Sequence, residues 1–141
     1  MPNASIVFID SNVLLYAASG RPADTAKSKH ARALLVRETV GISFQVLQEF
    51  YANAINPRKL NLSSAEATAW CTTWMRFRVA RLGLKTFVRT LDLAQRFQIS
   101  NWDAAILAAA KQLGCATVYS EDLNDGQDYD GVRVENPFRA L

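Results

Sequence analysis

Asp10, Glu49, Asp103 and Asp122 are scattered along this 141-residue chain, yet each falls where an expected helix or strand begins or ends beside an apolar segment. That placement points to one shared acidic pocket. Two carboxylates about 4 Å apart oppose each other by roughly 4 kcal/mol at an effective dielectric near 20, and a divalent cation relieves that repulsion. The two cysteines, Cys71 and Cys115, and the single histidine, His30, are too few for a structural zinc site within one chain. Metal chemistry here must therefore use oxygen ligands, which favour Mg²⁺ or Mn²⁺. Both cysteines are expected in or near the core, and His30 on a helix surface.

Each acid also has an ordinary structural role open to it. Asp10 can cap a helix or form an Asx turn. Asp103 stands at the third position of a helix that Ser100 would cap, where an acid is worth about 0.5 to 2 kcal/mol by capping and dipole effects alone. A glutamate within a helix, such as Glu49, is commonly solvated. Asp122 has a rival in Asp125. What favours the chemical reading of Asp103 is its setting, with Trp102 before it and the apolar run Ala104 to Ala110 after it, a pattern that predicts a buried helix.

The elements that would position these acids alternate. Ile6 to Ile9 is a short apolar run that reads as a buried parallel strand ending at Asp10. Ser11 or Asn12 then caps a helix from Val13 to Ala18, and Asp24 or Thr25 opens another to about Glu38. Gly41 to Ser43 reads as a strand and Phe44 to Ala54 as a helix with Glu49 at the edge of its apolar face. Ser63 with Glu66 is a capping-box signal. The helix it opens carries Trp70, Trp74 and Phe77 as one aromatic stripe, open to use as core, as a protein contact or as a base-stacking surface. Leu84 to Val88 is expected as a strand, Leu91 to Phe97 as a short helix, Ser100 to Leu113 as a strong helix that Gly114 stops, and Ala116 to Tyr119 as a strand. Val132 to Val134 would add an edge strand. Such alternation predicts a three-layer α/β/α sandwich with a short parallel central sheet, formed as one domain over residues 1–141. In sheets of this kind ligands collect beyond the carboxyl ends of the strands, where Asp10 and Asp122 would sit.

The net charge of +3 is unevenly spread. From Arg58 to Arg96 eight basic residues stand against Glu66 and Asp92, whereas from Ser120 to Glu135 six acids stand against Arg133. A basic flank beside an acidic pocket suits a polyanionic substrate, although a charge run is as readily a solvated helix face. The longest apolar run, Ala104 to Ala110, is far too short to span a membrane, and a strand begins almost at once without a basic leader, so a soluble, cytoplasmic protein is expected. The six glycines are dispersed, leaving no glycine-rich phosphate loop, and the single histidine lies in a polar, basic segment.

Four segments together resemble the acidic motifs of the PIN-domain family: Ile6-Val7-Phe8-Ile9-Asp10-Ser11-Asn12, Gln45-Val46-Leu47-Gln48-Glu49-Phe50, Ser100-Asn101-Trp102-Asp103-Ala104-Ala105-Ile106 and Val118-Tyr119-Ser120-Glu121-Asp122-Leu123. The likeness runs through essentially the whole chain, whose size is that of the VapC-type toxins. It implies a Mg²⁺- or Mn²⁺-dependent endoribonuclease with Asp10 and Asp103 as leading metal ligands. Glu49 would complete the site, and Asp122 would bind a second ion or orient water. By the same resemblance Ser120 is a contact to substrate or to a ligand carboxylate, and the division between Asp122 and Asp125 stays open. Asn12 would cap its helix or orient a ligand. The family likeness further implies an RNA substrate, a homodimer and an antitoxin whose tail enters the acidic cleft. Arg58, Lys59, Arg76, Arg78, Arg81 and Lys85 are candidate RNA contacts.

Two rivals stand beside this reading. One is a module of the same fold that binds nucleic acid or protein without catalysis. The other is a phosphoacceptor or phosphatase-like domain using Asp10 as a nucleophile.

Overall fold

The computed structural model describes residues 5–141. Its strands are β1 (Ile6–Ile9), β2 (Thr39–Ser43), β3 (Arg78–Ala80), β4 (Thr117–Tyr119), β5 (Asp128–Tyr129) and β6 (Val132–Glu135). The α-helices are α1 (Ser11–Ala18), α2 (Thr25–Arg37), α3 (Phe44–Ile55), α4 (Ser64–Trp74), α5 (Leu84–Phe97) and α6 (Asn101–Gln112), with a short 3₁₀ turn at Pro22–Asp24. The strands form one sheet in the order β3-β2-β1-β4-β6-β5. All neighbours run parallel except the β5–β6 pair. Helices α5 and α6 cover one face, and α1 to α4 lie on the other. No helix among the described residues is long and apolar enough to cross a membrane.

Continuous apolar strands buried on both faces explain the parallel sheet. Phe8 and Ile9 of β1, Ile42 of β2 and Val118 of β4 are fully buried, and so are Leu107, Ala108, Ala109 and Ala110 of α6. Small alanines let α6 lie close to the sheet. Gly41 marks another close approach, since a Cβ there would stand 2.7 Å from Leu113 Cδ1 at the end of α6 and 3.0 Å from Ile6 Cγ2.

The structure corrects several expectations. Leu84 to Val88 is not a strand but the first turns of α5, which runs unbroken to Phe97. Its Leu84, Phe87, Val88 and Leu91 fall at i, i+3, i+4 and i+7, a helical stripe, and the strand forms earlier, at Arg78–Ala80. Helix α1 starts at Ser11, with Asp10 rather than Ser11 or Asn12 as its cap. Trp102 is 68% exposed, so burial of α6 begins only beyond its first turn. His30 is half-buried, with its ring 6.0 Å from that of Phe138. The Ser63–Glu66 capping box forms with both of its bonds.

Trp74 is buried, packed edge-on to Phe50 at 5.7 Å and stacked between Trp70 and Phe77. The aromatic stripe is therefore anchored in the core. Cys115 is buried and burial pushes its thiol up to about 11, which leaves it unreactive at neutral pH.

Candidate active site

Strand order reverses at β1, which leads to β2 on one side and pairs with β4 on the other. A crevice at such a break lies beyond the strands' carboxyl ends. Asp10 leaves β1 there, and its N–H still bonds the Tyr119 carbonyl at 3.0 Å, so the pairing with β4 persists one residue past the strand. Ser120 to Asp122 leave β4 beside it.

Asp10 is 6% exposed and every oxygen of its carboxylate has a partner. Oδ1 accepts the Ser11 N–H at 2.8 Å, the N-terminal bond of α1. Oδ2 accepts the Ser120 hydroxyl at 2.8 Å and, more weakly, the Asn12 amide at 3.5 Å. Burial pushes the carboxyl up to about 6, the Ser120 and Ser11 bonds pull it down, and the charges of Glu49 and Asp122 push it up further. That last effect places all three acids in one electrostatic neighbourhood.

Asn12 ties the two edges together. Its amide nitrogen donates to Asp122 Oδ2 at 3.1 Å and lies 3.4 Å from Ser120 Oγ, while its carbonyl oxygen accepts the Glu121 N–H at 3.2 Å. The Ser120 hydroxyl in turn accepts the Asp122 N–H at 3.1 Å. Asp122 is itself exposed, with its carboxylate held by Asn12. Asp125, its sequence rival, turns away: it takes the Asn136 N–H at 2.8 Å and pairs with Arg139 at 3.0 Å. Those two contacts, in that order, hold its carboxyl below the usual range. Asp125 anchors the C-terminal segment, and the structure thus separates it from Asp122.

Glu49 reaches the site from α3. Its Oε1 accepts the Ser11 hydroxyl at 3.2 Å and its Oε2 accepts the Gln45 amide at 3.2 Å. The same Gln45 nitrogen lies 3.2 Å from the Trp102 carbonyl, which attaches the first turn of α6 to Glu49. Asp103 follows on that turn, half-buried, with its N–H on the Ser100 hydroxyl at 3.0 Å. Burial raises the Tyr129 hydroxyl pKa, and the Asp103 charge adds to it. Asp103 is connected to the other acids through Gln45, rather than by direct contact.

Among the described residues no three acid, cysteine or histidine side chains already converge tightly enough to enclose an ion. The donor chemistry nonetheless fits a hard divalent cation: carboxylate oxygens only, one of them buried and destabilised by two acidic neighbours. Asp10, Glu49, Asp103 and Asp122 are the carboxylates that could hold such an ion.

Sequence reasoning missed Ser11, Gln45 and Glu121. Glu121 accepts from Tyr16 at 2.8 Å and pairs with Lys27 at 2.5 Å, pinning the loop that carries Asp122. A cleft of about 300 Å³ opens next to Asn12 and Asp122, lined also by Asn53, Lys59 and Arg21. Of the six basic residues singled out from sequence only Lys59 lines it. Arg21, never a candidate, does too.

A PIN-domain family model matches residues 7–126. No curated protein matches the sequence. Among solved structures, a toxin–antitoxin complex from Klebsiella pneumoniae is 19% identical with a TM-score of 0.69, over 94% of this chain and 98% of that one. Mycobacterium tuberculosis VapC20, described as a sarcin-ricin-loop-cleaving toxin, is 20% identical with a TM-score of 0.65, over 82% and 89%. DNA-bound VapBC from Salmonella typhimurium is 18% identical with a TM-score of 0.69, over 94% and 98%. At these identities the three structures are shared folds.

Proposed function

The chain belongs to the PIN-domain family, and from that premise we propose that it is a Mg²⁺- or Mn²⁺-dependent endoribonuclease, the toxin of a toxin–antitoxin pair, acting in the cytoplasm. One observation carries the reading: Asp10, a buried carboxylate at the break in a parallel sheet, is bonded through Ser120 and Asn12 to the segment bearing Asp122. The toxin assignment draws support from neighbours described as toxin–antitoxin complexes and as an RNA-loop-cleaving toxin.

In this reading Asp10 and Asp103 are the main ligands, and Glu49 and Asp122 complete the site. A divalent ion held by these carboxylates would supply activation of the attacking water and neutralisation of the charge that builds on the phosphate. The chain's own residues do the placing. Ser120 and Asn12 hold Asp10 and Asp122 in register, Ser11 and Gln45 hold Glu49, and the Glu121–Lys27–Tyr16 contacts hold the loop. Arg21 and Lys59 line the adjoining cleft and offer cations to the phosphate backbone.

A homodimer belongs to the same proposal. Leu84, Phe87, Val88 and Leu91 form one solvent-facing stripe on α5, at 85%, 53%, 64% and 49% exposure, and contiguous exposed apolar residues of this kind support a contact between two copies. The antitoxin is proposed to fill the cleft at Asp122.

The test is RNA cleavage by purified protein with Mg²⁺, with Mn²⁺ and with chelator. Metal-dependent cleavage that disappears in Asp10→Asn supports the nuclease. RNA binding without cleavage under any metal would favour the non-catalytic module instead.

A further inference from the structure

The basic segment from Arg58 to Arg96 drew attention in the sequence, but a more coherent cationic feature lies elsewhere. On α2, Thr25, Ser28, Lys29 and Arg32 follow one another at i, i+3, i+4 and i+7, so their side chains share a face. That face meets the turn at Ser19 to Arg21, and together they enclose a second cleft of about 300 Å³. Its lining holds three cations, Arg21, Lys29 and Arg32, together with hydroxyls and no carboxylate. Asp24 stands at its edge, accepting from the Ser19 hydroxyl at 2.6 Å, pairing with Arg21 Nε at 3.6 Å and lining the other cleft.

Arg21 is shared with Asp24, whereas Lys29 and Arg32 are open to an external anion. Arg32 is held by its Nε–H on the Ala17 carbonyl at 2.7 Å and lies 5.8 Å over the Trp70 ring, and among the described residues its terminal nitrogens have no protein partner. Lys29 makes no ion pair among the described residues. Arg21 lines both clefts, so the three-cation cleft adjoins, at that residue, the one bounded by Asn12 and Asp122.

We propose that the cleft between the Ser19–Arg21 turn and the Thr25–Arg32 face of α2 is a substrate subsite that grips the phosphodiester backbone of single-stranded RNA flanking the bond cut at Asp10. The proposal rests on the nuclease reading for what lies at Asp10, but the grip itself needs only anion chemistry. The Ser19, Thr25 and Ser28 hydroxyls already donate to Asp24, Pro22 and Ser19, so the lysine and arginine side chains supply the donors to phosphate oxygens, and these read charge and spacing rather than base identity.

Lys29 gives the cleanest test, because it is exposed and its side chain makes no hydrogen bond or ion pair among the described residues. Binding of a fluorescently labelled single-stranded RNA of about twenty nucleotides is measured in chelator across a salt series. Lys29→Ala should weaken it about threefold to tenfold and lower the salt slope by roughly 0.7, and Lys29→Glu should weaken it further. Arg133→Ala, on an exposed position of β6 outside both clefts, should leave it unchanged. With metal present, Lys29→Ala should raise KM for the long RNA while sparing kcat, and should leave cleavage of an RNA of about four nucleotides unaltered. Equal affinity of wild type and both Lys29 variants would overturn the subsite while the nuclease stands on its own cleavage. If wild type cleaves nothing yet Lys29→Glu still loses RNA affinity, the subsite holds and the nuclease reading fails. Loss of affinity for a labelled acidic peptide, with RNA affinity untouched, would overturn RNA as the occupant.

Discussion

The Ser120 hydroxyl stands 2.8 Å from Asp10 Oδ2 across 110 residues of sequence. It donates to the one buried carboxylate of the site and accepts the Asp122 N–H at 3.1 Å, so a single hydroxyl sets the spacing of two acids from different strands.

Ser120→Ala should therefore act on both acids at once. Loss of an orienting partner of a ligand carboxylate commonly weakens metal binding by about 10- to 100-fold, and leaving a buried acceptor unpaired costs about 1–3 kcal/mol. Calorimetric titration with Mn²⁺ and denaturant unfolding measure the two effects. Wild-type affinity in the variant would show that Ser120 is only packing.

The Asp10 carboxyl sits at about 6 in the folded chain against an ordinary 3.8. The folded state thus binds this proton more tightly than the unfolded one. Metal-free protein should lose stability as pH rises from 3.8 to about 6, and above that window it carries the full cost, up to about 3 kcal/mol. Asp10→Asn removes that cost. Its melting temperature should exceed that of wild type most at neutral pH, with the gap closing toward pH 4 and shrinking when Mg²⁺ is added to wild type. A gap independent of pH would contradict the assignment.

Gln45 bridges Glu49 and the Trp102 carbonyl. Gln45→Ala should lower kcat about tenfold with little change in melting temperature, since the bond it removes is partly solvated. Unchanged kcat would mean that Asp103 needs no such link.

The α5 stripe gives a test of assembly. Val88→Glu with Leu91→Glu places charges on exposed positions, so the fold should survive. Sedimentation equilibrium should show a dimer for wild type and a monomer for the double variant. A wild-type monomer would remove the homodimer from the account.

What could be read from sequence was what depends on local pattern. Asp10 stood out because a four-residue buried strand ends at it. Asp103 stood out because the apolar run Ala104 to Ala110 follows it, and that run packs into the core while Trp102 before it stays exposed. Leu84 to Val88 misled because a short apolar run has no period long enough to separate strand from helix, and only the continuation through Leu91 and Leu93 does so. Asp122 and Asp125 share one local context, and what parts them is the Asn136 N–H and Arg139, contacts 11 and 14 residues further along the chain. Gln45 and Arg21 were invisible for the same reason, since each matters through what folding places beside it.

The most direct test of the whole account is RNA cleavage by Asp103→Asn, the acid tied to the site least closely, measured beside Asp10→Asn and wild type in Mg²⁺, in Mn²⁺ and in chelator. The account predicts metal-dependent cleavage by wild type and its loss in both variants, with their folds intact by circular dichroism. Cleavage by folded Asp103→Asn at the wild-type rate would contradict it.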